Sequence, residues 1–400
     1  MKKVLTLLLV AVMLLGLCAC GGNSNNPTPA NPDPGTEATD TIKIGIFQPA
    51  SGDNGAPGKQ ETLGSQYANV VQPTVEINGK TYNVELVIVD NESSNDKAVS
   101  AAQTLVSQDV SVVLGSYGSG VSIAGSDVFG AAGIPCIGVS CTNPQVTLGN
   151  DFYFRVCFLD PFQGTVLANL AVDQYKAQKA YVLTKLGDDY SVGVGNYFKN
   201  AFEKLGGQCI VETFQEGNSD FTSYITKAKN EGCQICVAPI SVEAAALFLE
   251  QAATQDIGMP ILAGDTFDSN VIAGVGKGKN LDIYCSTFYV EGGNPEFDSN
   301  FKAWMESDAT ALANNGGNTT IAACSVLGYD AYFVALEAMK KAGAFDKDSI
   351  KAALPDVEYD GVTGHIAFDE NGDAIRDSAF VKHLNTETGE YELFGIQQVK

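Results

Sequence analysis

Histidine is nearly absent from this chain of 400 residues, which contains only His365 and His383. Two histidines offer little material for a histidine-based catalytic triad or a histidine metal cage. Basic residues are also few, because 24 lysines and arginines stand against 47 aspartates and glutamates, for a net charge of −23. This acidic balance argues against binding to nucleic acid or to anionic lipid headgroups.

Motifs that bind phosphate or carry a nucleophile are missing as well. The glycine-rich run at residues 115–120 has neither the G-x-S-x-G frame of a nucleophile elbow nor the G-K-[ST] ending of a P-loop. The run at residues 274–279 also fails the P-loop test, because Asn280 follows it. The sequence therefore predicts a protein that is not an enzyme and that holds no cofactor and no metal.

The amino terminus is similar to a bacterial lipoprotein signal. Two lysines precede an apolar run at residues 4–17, which is too short to cross a bilayer comfortably. The LCAC motif at residues 17–20 resembles a lipobox, which implies a signal peptide at residues 1–19 and lipidation of Cys20. A plain secretory signal is the alternative. Residues 20–41 lack aromatic and large aliphatic side chains, so we expect a disordered tether that holds an extracytoplasmic protein at the cell membrane.

Eight cysteines follow Cys20, and most of them lie inside apolar runs. Free cysteine behaves as a small buried hydrophobe, and this is the interpretation that the pattern favours. Cys233 and Cys236 have C-x-x-C spacing, but no second pair and no histidine lies near them in the sequence, so a zinc or redox site is not indicated. The sequence does not determine which cysteines, if any, form disulfides.

Strand-like and helix-like segments alternate along the chain after residue 41. The first series has β-type runs at residues 42–47, 82–89, 112–114 and 135–139. A second series begins near residue 179, after a break at 155–161. Such alternation predicts parallel sheets built from right-handed βαβ units, and the length suits two lobes. Farther on, residues 296–313 are predicted as one long helix, and Asn371-Gly372 indicates a hairpin turn.

Residues 112–144 contain two short apolar runs that each end in a loop of small hydroxyl residues. Ser119 lies in the first loop, and Ser140 and Thr142 lie in the second. Ligands of open parallel sheets bind outside the carboxyl ends of the strands. Hydroxyls, free backbone N–H groups and a helix that begins at this point suit a carboxylate. Ordinary strand-to-helix turns with serine caps are the alternative.

The chain resembles the type I periplasmic-binding-protein fold, and in particular the leucine/isoleucine/valine-type receptors of ABC importers. The resemblance covers nearly all of residues 42–400. It rests on motifs at residues 42–60, 115–147, 261–269 and 360–373. It implies an α/β fold of two Rossmann-like lobes with parallel sheets joined by three crossovers, which we expect near residues 159, 288 and 378.

The same resemblance implies the limits of the lobes. The N-terminal lobe would comprise residues 42–159 and 289–378. The C-terminal lobe would comprise residues 160–288 and 379–400. The ligand would lie between the two.

In such receptors, first-lobe hydroxyls hold the carboxylate of the ligand, and the matching positions here are Ser119 and Thr142. A backbone carbonyl, matched by Ser140, and a second-lobe acid, matched by Asp265, hold the ammonium group. An aromatic residue that covers the ligand is matched by Tyr190. A zwitterion needs donors at one end and a carboxylate at the other, so these residue types agree with the implied ligand.

The side-chain end of the implied pocket departs from the family. The family's disulfide would need cysteines at Ser93 and Gly118. Pro57 replaces a first-lobe tyrosine, and no aromatic residue stands where a second-lobe tyrosine would fall, near Ile240 or Ser241. We therefore predict binding of an α-amino acid more firmly than binding of leucine, isoleucine or valine.

Two aromatic residues, Tyr117 and Phe267, are candidates for replacement walls of the pocket, and packing roles are the alternative. Gly118 lies between Tyr117 and Ser119 and belongs to the same predicted binding loop.

The predicted function is that of an extracytoplasmic substrate-binding lipoprotein of an ABC importer. It would capture a branched-chain or similar aliphatic amino acid between two closing lobes and deliver it to the permease. The predicted partners are this ligand, the permease with its ATPase subunits, and the membrane through Cys20. A ligand sensor of the same fold that binds an amide, a urea or an aromatic acid is the alternative. A hydrolase that uses Ser119 would lack a usable general base.

Overall fold

The computed structural model describes residues 40–376 and 378–398. The predicted signal peptide, Cys20 and all but the last two residues of the predicted tether lie outside the described residues.

Strands and helices alternate through most of the described chain. The strands are β1 (Thr41–Gln48), β2 (Thr74–Ile77), β3 (Lys80–Asp90), β4 (Val112–Leu114), β5 (Cys136–Gly138), β6 (Tyr153–Arg155), β7 (Lys179–Lys185), β8 (Gln208–Phe214), β9 (Ile235–Val237), β10 (Ile261–Ala263), β11 (Ile283–Thr287), β12 (Tyr359–Gly361), β13 (Gly364–Ile366), β14 (Ser378–Asn385) and β15 (Glu390–Gln398). The α-helices are α1 (Gly55–Val71), α2 (Asn95–Ser107), α3 (Ser119–Ala131), α4 (Asp160–Asp173), α5 (Asp189–Lys204), α6 (Thr222–Asn230), α7 (Val242–Thr254), α8 (Asn270–Gly276), α9 (Pro295–Ser307), α10 (Ala309–Asn314), α11 (Ala323–Ala342) and α12 (Lys347–Ala353).

The first lobe is built on a six-stranded sheet with the order β2-β3-β1-β4-β5-β6. Neighbouring strands are parallel, except that β2 and β3 are antiparallel. Strands β4 and β5 consist of three fully buried residues each, as a parallel sheet covered on both faces requires. Because β4 and β5 are neighbours, the two hydroxyl loops that follow them lie side by side.

Helices α9 to α12 return to the first lobe, where α11 packs against α1. Two glycines allow this close approach. A Cβ atom on Gly64 would lie 1.7 Å from the backbone oxygen of Ser325, and one on Gly328 would lie 2.3 Å from that of Glu61. Ser65 Oγ also donates to the backbone oxygen of Gly328 at 3.0 Å. The first lobe is thus assembled from two separate parts of the chain.

The second lobe is built on a seven-stranded sheet with the order β15-β14-β11-β10-β9-β7-β8. The strands from β11 to β8 are parallel, and β14 and β15 add an antiparallel edge. Strand β10 ends at Ala263, so Gly264 and Asp265 lie directly beyond its carboxyl end.

The chain passes between the lobes three times: after β6, after β11 and before β14. The last passage is tied to the first lobe by a buried ion pair between Arg155 Nε and Asp373 Oδ1, at 2.5 Å. The predicted fold class, two α/β lobes with parallel sheets joined by three crossovers, is therefore confirmed. The exact limits of the lobes stay a prediction.

Two local predictions are wrong. Residues 296–313 form two helices, because the Asp308 carboxylate accepts the backbone N–H groups of Thr310 and Ala311 and starts a new helix there. The hairpin predicted at Asn371-Gly372 is wrong in its second strand: the turn itself forms, closed by backbone hydrogen bonds from Gly372 to Asp369 and from Ile375 to Ala367, but it does not join two long strands. Strand β14, which follows this loop, pairs with β11 and β15 instead of with the segment before the loop.

The eight cysteines of the described chain are all free thiols. Seven are buried and Cys209 is half-buried, so the prediction of buried free cysteines is confirmed for the seven. Across residues 40–376 and 378–398, none of the helices combines the length and apolarity that a membrane crossing requires.

Candidate ligand-binding site

A cavity of about 260 Å³ lies between the two lobes. Its first-lobe wall comes from the loops after β1, β3, β4 and β5, and its second-lobe wall comes from the loops after β7, β8, β9 and β10. All of these are carboxyl ends of strands, where open parallel sheets bind their ligands. Six residues predicted from the sequence line this cavity: Tyr117, Gly118, Ser119, Ser140, Tyr190 and Asp265.

Ser119 begins helix α3 at the first-lobe wall. Gly118 before it has a φ of +107°, a conformation that residues with a Cβ rarely adopt, so glycine is needed at this turn. Ser119 Oγ accepts the backbone N–H of Asn143 at 3.1 Å, and its own hydroxyl hydrogen is therefore left to donate. The N–H groups of the first turn of α3 have no partner within the helix and carry its positive dipole end. This wall suits an anionic group.

Thr142 is fully buried and does not line the cavity. Its Oγ1 atom and Oδ2 of Asp160 have no other hydrogen-bond partner within the described chain, and the Thr142 hydroxyl lowers the pKa of Asp160 against the effect of burial. The backbone N–H of Asp160 donates to the backbone oxygen of Thr142 at 3.0 Å. Burial raises the pKa of Asp160 to about 8, so this carboxyl is mostly protonated at neutral pH. A role for Thr142 in holding a ligand stays a prediction.

Glu61 of α1 joins the loops of the first-lobe wall and was missed by the sequence analysis. Ser140 Oγ and Gln48 Nε2 both donate to its fully buried carboxyl group, and Gln48 Oε1 accepts the backbone N–H of Tyr117 at 2.6 Å. Burial raises the pKa of Glu61 to about 8, although the hydrogen bonds from Ser140 and Gln48 oppose this shift. Glu61 therefore connects three wall segments while remaining mostly uncharged at pH 7.

Asp265 provides the carboxylate of the second-lobe wall. Its Oδ1 atom accepts from Tyr190 Oη at 3.0 Å and from Gln163 Nε2 at 2.9 Å. Gln163 Oε1 in turn accepts the backbone N–H of Asp265 and the hydroxyl of Ser286. Burial raises the pKa of Asp265 to about 6, and the bonds from Gln163 and Tyr190 oppose the shift. Asp265 is thus held in one orientation and is mostly ionised at pH 7.

The two candidate wall aromatics differ. Tyr117 lines the cavity and packs against Ala322 and Cys324. Phe267 is fully buried in the hydrophobic core of the second lobe and does not line the cavity, so its packing role is the one observed. Tyr190 lines the cavity and donates its hydroxyl to Asp265, and covering of a ligand by its ring stays a prediction.

The lobes contact each other at the rim of the cavity. Lys185 Nζ of the second lobe lies 2.6 Å from Asp53 Oδ2 of the first lobe. Asn143 Nδ2 of the first lobe donates to the backbone oxygen of Asp189 at 2.8 Å. The structure therefore represents a closed arrangement of the two walls.

The sequence matches the family described as periplasmic binding protein over residues 41–388. The chain belongs to the periplasmic binding protein family.

Relatives within this family share about the same length. A Leu/Ile/Val-binding protein homolog of Brucella abortus is 29% identical over 345 residues, which cover 85% of this chain and 89% of the relative. The solved structure of a leucine-binding protein from Thermotoga maritima has 30% identity and a TM-score of 0.80, with 89% of this chain and 99% of that chain covered. A branched-chain amino acid transporter substrate-binding protein of Streptococcus pneumoniae, solved with isoleucine, has 27% identity and a TM-score of 0.75, with 90% and 100% covered.

Three positions at which the resemblance implies other residues lie in the cavity wall. Ser93 and Gly118, which would have to be cysteines to form the disulfide, both line the cavity, and so does Ser241. Pro57 does not line the cavity.

Of the two site residues that the sequence analysis missed, Glu61 had a usable signal in the sequence and Gln163 had none. Glu61 lies on the same face of the predicted first helix as Gly64 and Ala68, so a carboxyl group on an otherwise apolar face was a usable signal. Gln163 contacts Asp265 across 102 positions of sequence, and no local pattern indicates such a pair.

Proposed function

We propose that this protein is an extracytoplasmic substrate-binding protein that captures an α-amino acid for an ABC importer. The observation that carries the proposal is that Ser119 and Asp265 line one cavity from opposite lobes. A hydroxyl donor on one wall and a carboxylate on the other match the two ends of a zwitterion.

The ligand carboxylate would accept from the Ser119 hydroxyl and from the first-turn N–H groups of α3. Its ammonium group would donate to Asp265 and to the backbone oxygen of Ser140. Charge-assisted hydrogen bonds of this kind contribute about 1.5–3 kcal/mol each. Since the partners of the two ends lie on different lobes, only the closed arrangement satisfies both, and the ligand would shift the population toward it.

The family relatives support the amino-acid assignment, because one is named for leucine, isoleucine and valine and another was solved with isoleucine. Delivery of the ligand to a permease and its ATPase subunits, and attachment to the membrane through a lipid on Cys20, complete the proposal. Both follow from the resemblance and from the motif at the amino terminus.

Isothermal titration calorimetry with the twenty amino acids, urea, benzamide and benzoate tests the function. We expect at least one α-amino acid to bind, and we expect neither its amide nor its decarboxylated analogue to bind. Ser119→Ala should weaken this binding about tenfold or more, because a hydrogen bond to a charged group is lost. Ser107→Ala, which removes an exposed hydroxyl of the same lobe, serves as the matched control. Binding of only urea, an amide or an aromatic acid would contradict the proposal in favour of the sensor alternative.

Lipidation is tested separately in cells. Metabolic labelling with a fatty acid should mark the wild-type chain, and Cys20→Ala should abolish the label and release the protein from the membrane fraction. Labelling that survives in this variant would exclude Cys20 as the anchor.

A further inference from the structure

The cavity wall beyond Ser119 and Asp265 is mainly polar. It includes Asn54 of the first lobe and Lys185, Glu216 and Ser241 of the second lobe. Among the described residues that line the cavity, the aliphatic side chains larger than alanine are Val121 and Leu186, and Leu186 is half exposed. An aliphatic ligand side chain would find little apolar surface here.

Two of these four polar residues, Lys185 and Asn54, already have partners. Lys185 is paired with Asp53 across the rim, at 2.6 Å. The Asn54 side-chain oxygen accepts the backbone N–H of Val242 at 3.4 Å. These groups are therefore held by the protein itself.

The side chain of Ser241 has no such partner. It occupies the N-cap position of α7, but its hydroxyl does not cap the helix. The first N–H groups of α7 are instead accepted from across the cleft, that of Val242 by the side chain of Asn54 and that of Glu243 by the backbone oxygen of Asp53. Ser241 is 3% exposed, lines the cavity, and its Oγ atom has no partner within the described chain. A buried hydroxyl of this kind is normally satisfied, so a ligand group is the missing partner.

The charges along the wall decide what kind of group this is. Glu216 lines the cavity and faces Lys185, whose ammonium group is already paired with Asp53. Asp188 and Asp189 lie in the same wall. The cavity wall therefore contains more carboxylates than lysines. This excess favours a ligand side chain that donates hydrogen bonds over one that is itself acidic.

We propose that the cavity selects an α-amino acid whose side chain carries a hydrogen-bond donor, an amide or a cationic group, and that the Ser241 hydroxyl is one of its partners. This inference rests on the proposed function and narrows its substrate class. A purely aliphatic side chain would leave Ser241 unpaired, and a site built for a polar group rejects ligands that lack it.

Calorimetry on the full-length mature chain with glutamine, lysine, leucine, valine and glutamate tests the proposal. We expect glutamine or lysine to bind at least about tenfold more tightly than leucine, valine or glutamate. The glutamine and lysine arms distinguish an amide from a cation. Leucine or valine binding as tightly as the better of these two would overturn the inference and leave the proposed function standing. Absence of binding by every amino acid would overturn both.

The role of Ser241 is tested with Ser241→Ala. We expect the affinity for the preferred polar amino acid to fall about fivefold or more, while that for alanine stays unchanged, and Ser241→Thr should restore most of the loss. The melting temperature of the unliganded variant should not fall, because the buried hydroxyl makes no bond within the described chain and its removal relieves a desolvation penalty. An unchanged affinity ratio between the polar ligand and alanine would refute the assigned role.

Discussion

Two buried acids, one on each lobe, show how the same functional group is used in opposite ways. Asp265 lines the cavity and has a pKa of about 6. Glu61 lies behind the opposite wall, is fully buried, and has a pKa of about 8. Burial is the main cause of both upward shifts, and hydrogen bonds oppose it in both.

The difference teaches which acid offers a charge to a ligand. At pH 7 Asp265 is mostly ionised and Glu61 is mostly neutral, so only the former presents a full negative charge to an ammonium group. Glu61 instead organises Ser140 and, through Gln48, the backbone of Tyr117. Ligand affinity should therefore rise with pH through Asp265, whereas the stability of the unliganded protein should fall with pH through Glu61, and this contrast can be tested.

The largest expected effect comes from removing the charge of Asp265. Asp265→Asn keeps the size of the side chain but no longer pairs with an ammonium group. We expect a loss of about 2–5 kcal/mol, which is at least about 30-fold in affinity for the amino acid measured by calorimetry. Asp282→Asn, in the same lobe but outside the cavity, is the control. An affinity that stays within about threefold of wild type would show that Asp265 does not hold the ammonium group.

The next effect is the pH dependence of binding. Because the ionised form of Asp265 binds the ligand and its pKa is about 6, affinity should fall as the pH drops below 6. Titrations at pH 7 and pH 5 should differ by about tenfold. The Asp265→Asn variant should lose most of this dependence, and a variant that keeps it would assign the titration to another group.

A smaller effect of opposite sign is expected for the stability of the unliganded protein. Glu61 is protonated in the fold up to about pH 8 but ionises near pH 4.5 when unfolded. Unfolding between these values releases a proton, so the free energy of unfolding should fall as the pH rises from about 5 to 8. Asp160, with a pKa of about 8, contributes in the same direction.

Glu61→Gln isolates this contribution. The amide imitates the protonated acid, because both accept from Gln48 and both donate a hydrogen to the Ser140 oxygen, which reverses the bond that Ser140 donates to the ionised form. We expect urea unfolding at pH 5, 6, 7 and 8 to show that the free energy of unfolding falls less steeply with pH in the variant than in wild type. The change in this free energy between pH 6 and pH 8 should differ between the two proteins by about 1–2 kcal/mol. Glu306→Gln, an exposed acid on α9, should retain the wild-type decline. A Glu61→Gln curve parallel to wild type would mean that Glu61 is already ionised in the fold.

The smallest effect concerns the contact between the walls. Asp53→Asn removes the ion pair with Lys185 but keeps the backbone oxygen that accepts from Glu243. We expect a twofold to fivefold loss of affinity, because a partly exposed pair contributes about 1 kcal/mol at most. Glu203→Gln breaks an ion pair of equal length within α5 and should have no effect on binding. Equal losses in the two variants would point to general electrostatics rather than to closure.

Much of the architecture followed from local patterns. The runs that became β1, β4 and β5 are apolar and bounded by turn residues, and the helix predicted to begin at the first hydroxyl loop is found at Ser119–Ala131. Strand β2 was missed because it has only four residues, and only two of these are buried at the edge of the sheet. Strand β15 was missed because most of its side chains are exposed, so burial left little pattern in the sequence.

The candidate site was accessible to sequence reasoning only where its residues follow strand ends. Ser119, Ser140 and Asp265 do so, and all three line the cavity. Glu61 and Gln163 lie on helices, and their importance depends on partners from distant segments. Packing between such segments is decided by the whole fold, and a single sequence does not display it.

The glycine contact between α1 and α11 has a consequence for biosynthesis. Helix α11 is made only after every strand of the second lobe except β14 and β15, so the contact of α1 with α11 cannot form until that part of the chain has been synthesised. Contacts of such long sequence separation form slowly. The lobe that supplies the hydroxyls thus waits for most of the other lobe to be made, and a chain cut short before residue 323 would lack the helix that packs against α1 behind the hydroxyl wall.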